Sequence, residues 1–164
     1  MSRVQGMETP FRTYTVVIGC LLTAGCSGED TVANKQAIQP MLGAVMHAKT
    51  DEVRRLADQG VGLNERYYTN NDTPMIFAAG SNQWTVVEIL IDHGADIWAY
   101  NQFGITAAQR TETSRVIPGS DEDQARLRVI AKLKARGYPF PPPKSDEVLE
   151  MVKEGRWPPA GARS

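Results

Sequence analysis

The sequence predicts an all-α chain, a solenoid of about three helix-turn-helix repeats closed by a C-terminal capping helix. Three observations predict it. Glycine recurs at the end of apolar-periodic runs, with Gly60 lying 34 residues before Gly94. Helix-opening residues recur in the same register: Gln39-Pro40, then Thr73-Pro74, then Thr106. Between these markers, Val53 and Leu56 fall in step with Val87 and Leu90, at helical rather than strand spacing.

The middle repeat, about 73–105, carries the clearest pattern. Thr73 can cap a helix, and Pro74 sits in its first turn, where a missing N–H costs little. Ala78 and Ala79 let neighbouring helices approach closely. Val86, Val87, Ile89, Leu90 and Ile91 give a second helix a broad apolar face. Gly94 ends that helix in a left-handed conformation, and Ala95-Asp96 turns the chain away. Residues Thr73 to Asp96 resemble one ankyrin repeat: Thr-Pro opening, Ala-Ala, Val-Val and Ile-Leu-Ile, then Gly-Ala-Asp. Two positions depart from that family's pattern. Asn82 replaces a glycine, and Ile76 replaces a histidine, so packing substitutes for a polar link between helices.

The flanking repeats follow with lower fidelity. The first spans about 39–72, with Asp51 to Leu56 in its second helix. Gln39 and Arg55 depart from the pattern, as terminal repeats do where one side meets water. The third spans about 106–143, and its closing glycine, Gly137, arrives 43 residues after Gly94. An insertion is therefore expected between its two helices, in Thr111 to Asp123. Tyr138 to Pro143 is too proline-rich for helix, and a cap helix is expected over 145–154. The repeat domain is thus read as 37–155, with 156–164 as a tail in which Trp157-Pro158-Pro159 folds back.

The 164 residues, 41% hydrophobic and 23% charged, suit one folded domain. A formal net charge of -1 argues against a general nucleic-acid binder, which needs a basic face to displace counterions. Both cysteines, Cys20 and Cys26, lie near the N-terminus, so the repeat body can hold neither a disulfide nor a thiolate nucleophile. Thr13 to Gly28 is uncharged and follows Arg3 and Arg12; its apolar stretch is too short to span a membrane and fits a secretory signal. Its end, Leu22-Thr23-Ala24-Gly25-Cys26, resembles the lipobox of bacterial lipoproteins, with Thr23 where leucine is usual. The resemblance implies a signal peptide over 1–25, lipid on Cys26 and a tether over 26–36. Cys20 is the alternative, with a much shorter apolar run before it. The same resemblance implies, with Ser27 and not aspartate after the cysteine, outer-membrane sorting in an enteric-like cell, the domain facing the periplasm.

Ankyrin stacks engage partners through their turns and first helices. Here the turns Asn64–Asp72 and Asp96–Phe103 hold five of the chain's twelve aromatic residues, which singles them out as the candidate surface. Arg66, Tyr67, Tyr68, Trp98, Tyr100 and Phe103 are the candidate partner-binding residues, being of the types that dominate binding hot spots. Trp84 and the inserted loop are read as packing and as a tolerated insertion, and His47 and His93 as helix-end residues. No phosphate loop, nucleophile elbow or metal-binding histidine pair is present, and the paired acids all sit at helix starts. No cofactor, metal or catalytic residue is expected. The expected role is a lipid-anchored, monomeric binder of another protein. One specific version is an immunity protein against a toxin acting in the periplasm; the alternatives are a scaffold or stabiliser of an envelope enzyme, and an enzyme or small-ligand binder in a degenerate repeat.

Overall fold

A computed structural model describes residues 39–162; Cys20, Cys26 and the stretches read as leader and tether lie outside them. Seven helices follow in order: α1 (Pro40–Met46), α2 (Thr50–Asp58), α3 (Pro74–Gly80), α4 (Trp84–Asp92), α5 (Ala107–Arg110), α6 (Asp121–Ala135) and α7 (Ser145–Lys153). Among the described residues the β-structure is one isolated antiparallel bridge, Tyr100 to Thr106. The short helices α1, α3 and α5 pack in one row; α2, α4 and α6 pack in a second row behind it. This is the all-α repeat solenoid expected from the sequence. One core runs through it, from Met41, Val45, Val53 and Leu56 through Met75, Ile76, Val87 and Leu90 to Ala108, Val129 and Leu133. Ala78 and Ala79 are buried where α3 meets its neighbours, as small residues at a close approach should be.

The helix ends explain the repeat register. After α2, Gly60 N–H donates to Ala57 and Val61 N–H to Leu56; after α4, Gly94 donates to Ile91 and Ala95 to Leu90; after α6, Gly137 donates to Lys134 and Tyr138 to Leu133. Each is the same paired closure of a helix C-terminus, with its glycine at positive φ. The first-row helices α1 and α3 close in the same way without glycine. Asn82 (φ 59) follows α3 and Ala48 (φ 52) follows α1. Asparagine tolerates the left-handed region; alanine pays for it sterically. Ala48→Gly is therefore predicted to raise stability by roughly 0.5–1 kcal/mol, the left-handed cost less the entropy that glycine adds to the unfolded chain. A urea midpoint no higher than wild type would contradict this.

Helix starts are capped as the sequence implies in two repeats. Thr73 Oγ1 accepts from Ile76 N at 3.2 Å. Thr106 and Gln109 form a reciprocal capping box. In the first repeat Gln39 gives no side-chain cap. The Glu65 carboxylate comes back from the following turn instead and accepts from Leu42 N at 3.3 Å. Burial pushes its carboxyl above the ordinary range, against the pull of the Leu42 and Met41 N–H groups.

The third pair is asymmetric: α5 has four residues and α6 fifteen. The inserted segment between them is pinned. Asn82 Oδ1 accepts from Ser114 Oγ at 2.9 Å and from Arg115 N at 3.0 Å. Trp84 is fully buried, and its Nε1 donates to Ser114 Oγ at 2.9 Å. On the outer row, Arg128 and Lys132 of α6 pair with Glu88 and Asp92 of α4. His93, at the end of α4, reaches back to α2: Nδ1 lies 2.7 Å from the Ile89 carbonyl and Nε2 2.9 Å from Asp58 Oδ1.

Two acceptors facing one imidazole favour the protonated ring. The Ile89 carbonyl first, then Asp58, raises the His93 pKa above its ordinary value. A raised folded-state pKa contributes stability that is fully present below the unfolded value of about 6.5 and is lost as pH rises through the folded value. His93→Gln is thus predicted to cost more stability at pH 5.5 than at pH 8.5. Equal losses at both values, measured by urea unfolding, would remove the link. The effect should be small, since the pair is partly solvated.

Candidate functional site

The two aromatic turns form one laced edge. Asp72 and Asn101 are buried at its centre. Asn101 Nδ2 donates to Asp72 Oδ1 at 2.8 Å, and Asn70 Nδ2 donates to Asp72 Oδ2 at 2.5 Å. Asn101 Oδ1 in turn accepts from Phe103 N at 2.9 Å and Ile105 N at 3.0 Å. Around this centre, Asn64 Oδ1 accepts from Asp96 N at 2.8 Å, and Gln102 N donates to Asn70 O at 3.1 Å. A buried polar group left unpaired costs free energy, so this closed set holds each turn in a single shape.

The six candidate residues divide within that frame. Tyr68 and Phe103, 68% and 55% exposed, project from consecutive turns. Tyr67 is half-buried and supports Tyr68 edge to face, with ring centroids 4.9 Å apart. Arg66 is exposed, but its Nη1 donates to Tyr100 O at 2.6 Å and Asn71 O at 3.1 Å, so it ties the turns together. Tyr100 is half-buried and bridges to Thr106 through its backbone.

The sixth, Trp98, does not project from its turn. It is 8% exposed and stacks on Tyr138 at 4.5 Å with an interplanar angle of 15°. Trp157 closes on both rings edge-on, and its Nε1 donates to Trp98 O at 2.9 Å. The ring tucks under the turn because Tyr138, beyond α6, supplies a flat apolar partner. Burial pushes the Tyr138 hydroxyl up to about 12, against the pull of Thr106.

Sequence reasoning missed Asp72 and Asn101. Turn composition gives no sign that these two polar side chains are buried against each other. It also missed Leu149 of α7, 40% exposed, which packs over Gly104 directly after Phe103 and extends the apolar edge onto the cap helix.

A family model described as Ankyrin repeats (3 copies) matches residues 16–101, just over half of the chain. The chain belongs to the ankyrin-repeat family. The matched span of this ankyrin-repeat protein begins inside the stretch read as a leader and stops before α5, so the third helix pair is recognised here from its packing. No curated protein matches the chain. Ankyrin repeats are protein-interaction modules, and the laced turn edge is where this ankyrin-repeat protein presents exposed aromatic side chains on a fixed frame. Among the described residues, no group of three or more His, Cys, Asp or Glu side chains is placed to hold a metal.

Proposed function

We propose that this protein is a lipid-anchored binder of a protein partner, held through Cys26 at the periplasmic side of the bacterial envelope and gripping with its turn edge. The observation that carries the gripping role is the pair Tyr68 and Phe103, exposed on adjacent turns whose backbones are fixed by the Asp72–Asn101 centre. Rigid aromatic side chains give contact area at low entropic cost, which is why they anchor interfaces. Arg66 and Tyr100 act behind them as positioning residues. The anchoring half rests on the lipobox resemblance of Leu22 to Cys26.

The test of the grip is a pull-down from envelope extracts with the full chain carrying Cys26→Ser. Tyr68→Ala with Phe103→Ala is expected to weaken recovery of the partner about tenfold or more while helical content is unchanged. Recovery equal to wild type rejects the turn edge. The identity of the partner sorts the role: a toxin-like hydrolase marks an immunity protein, an envelope enzyme a scaffold. Separately, Cys26→Ser should release the protein from membranes once its leader is removed; a variant still membrane-bound with its leader removed rejects the lipid.

A further inference from the structure

We propose that the C-terminal segment Trp157–Ala162 is a displaceable strap over the Trp98–Tyr138 ring pair, and that its release turns this pair into an aromatic platform beside the turn edge. The segment is weakly tied. Its described polar bonds are Trp157 Nε1 to Trp98 O and one internal bond, Ala162 N to Pro159 O at 3.0 Å. Pro158 and Pro159 have no N–H to give, and Pro158, Ala160 and Gly161 are exposed. A segment with few buried contacts and few backbone bonds opens at lower free energy than the helices it lies on. Just before it, the chain leaves α7 through Gly155 at φ 69.

What lies beneath is complete without the strap. Trp98 N donates to Asp96 Oδ1 at 2.9 Å, and Tyr138 Oη donates to Thr106 Oγ1 at 3.1 Å. The two rings are therefore held by the body of the repeat stack. Open space flanks the strap on both sides. A cavity of about 570 Å³ lies towards Gly94, Ala135 and Arg136, and one of about 410 Å³ towards Arg66 and Tyr100. Asp96, Trp98 and Ala162 line both, so the segment bridges the rings without filling the groove. The occupant it displays, an indole followed by two prolines, shows the chemistry the platform accepts: an extended apolar segment bearing an aromatic ring next to proline. The opening stands independently of any partner; its use in regulating binding rests on the proposed role of the turn edge.

The test uses the full chain and needs no partner. The protein has three tryptophans, so Trp157→Ala leaves two as reporters, Trp84, which is fully buried, and Trp98 beneath the strap. Removal of the strap ring is expected to make one of these two indoles quenchable by acrylamide and to raise bis-ANS emission, with helical circular dichroism unchanged. In wild type, amide exchange at Ala162 is expected to run ahead of exchange in α7. The proposal is overturned if Trp157→Ala unfolds the domain, if Trp98 stays shielded in a folded variant, or if the Ala162 amide exchanges only with global unfolding. If the strap opens as described yet the Tyr68 and Phe103 variant still recovers the partner, the turn-edge reading fails and the strap stands.

Discussion

Gly104→Ala is expected to detach the cap helix. A Cβ at this position would sit 2.1 Å from Ser145 O and 2.8 Å from Leu149 Cγ. The first neighbour is backbone at the start of α7 and cannot rotate away. The residue also has φ +76, where a side chain is strained even in open space. Left-handed strain and overpacking together imply a loss of roughly 2–5 kcal/mol. The loss should be local in its first stage. Amides of α7 should lose protection from exchange while those of α4 keep theirs, because α4 packs between α2 and α6 and not on Gly104. Uniform loss across both helices, or an unchanged urea midpoint, would contradict this account.

Asn101→Ala is expected to cost roughly 2–4 kcal/mol, since it strips one donor from a buried carboxylate and one acceptor from two backbone N–H groups. Asp72 would keep Asn70 alone, and the amides of Phe103 and Ile105 would lose the oxygen that shapes their turn. Asn101→Asp sharpens the test. It sets a second carboxylate against Asp72 and should be no better at neutral pH. Acidification should then restore part of its stability, because a proton shared between facing carboxylates relieves their repulsion. Urea midpoints of both variants at pH 7 and pH 5 decide the matter; an aspartate variant as stable as wild type at pH 7 would mean that Asn101 and Asp72 are not coupled.

The features that were legible in the sequence are those fixed by local geometry. Gly60, Gly94 and Gly137 could be placed because a helix that closes through a left-handed residue leaves glycine in the sequence. Thr73 and Thr106 could be placed because a cap needs an oxygen at a fixed offset from the first turn. The insertion between α5 and α6 showed as a late glycine. What could not be read depends on residues far apart in the chain. Whether Trp98 points out or tucks in is decided by Tyr138, which lies beyond α6. Asn101 looks like any turn asparagine until Asp72 is seen beside it, 29 residues earlier. Ala48 carries no mark of its left-handed backbone; only its alignment with Asn82 across the repeats would have exposed it.

Repeat arrays are often handled as interchangeable cassettes, each unit replaceable by an idealised copy. The lacing between the two turns forbids that here. Asn64, Arg66 and Asp72 belong to one turn, yet they hold the backbone or side chains of Asp96, Tyr100 and Asn101 in the next. A cassette that supplies the second turn alone would arrive without the partners that shape it. Any engineered or recombined descendant that keeps the aromatic edge must inherit the two turns as one unit of exchange, with the cut made outside residues 64–103.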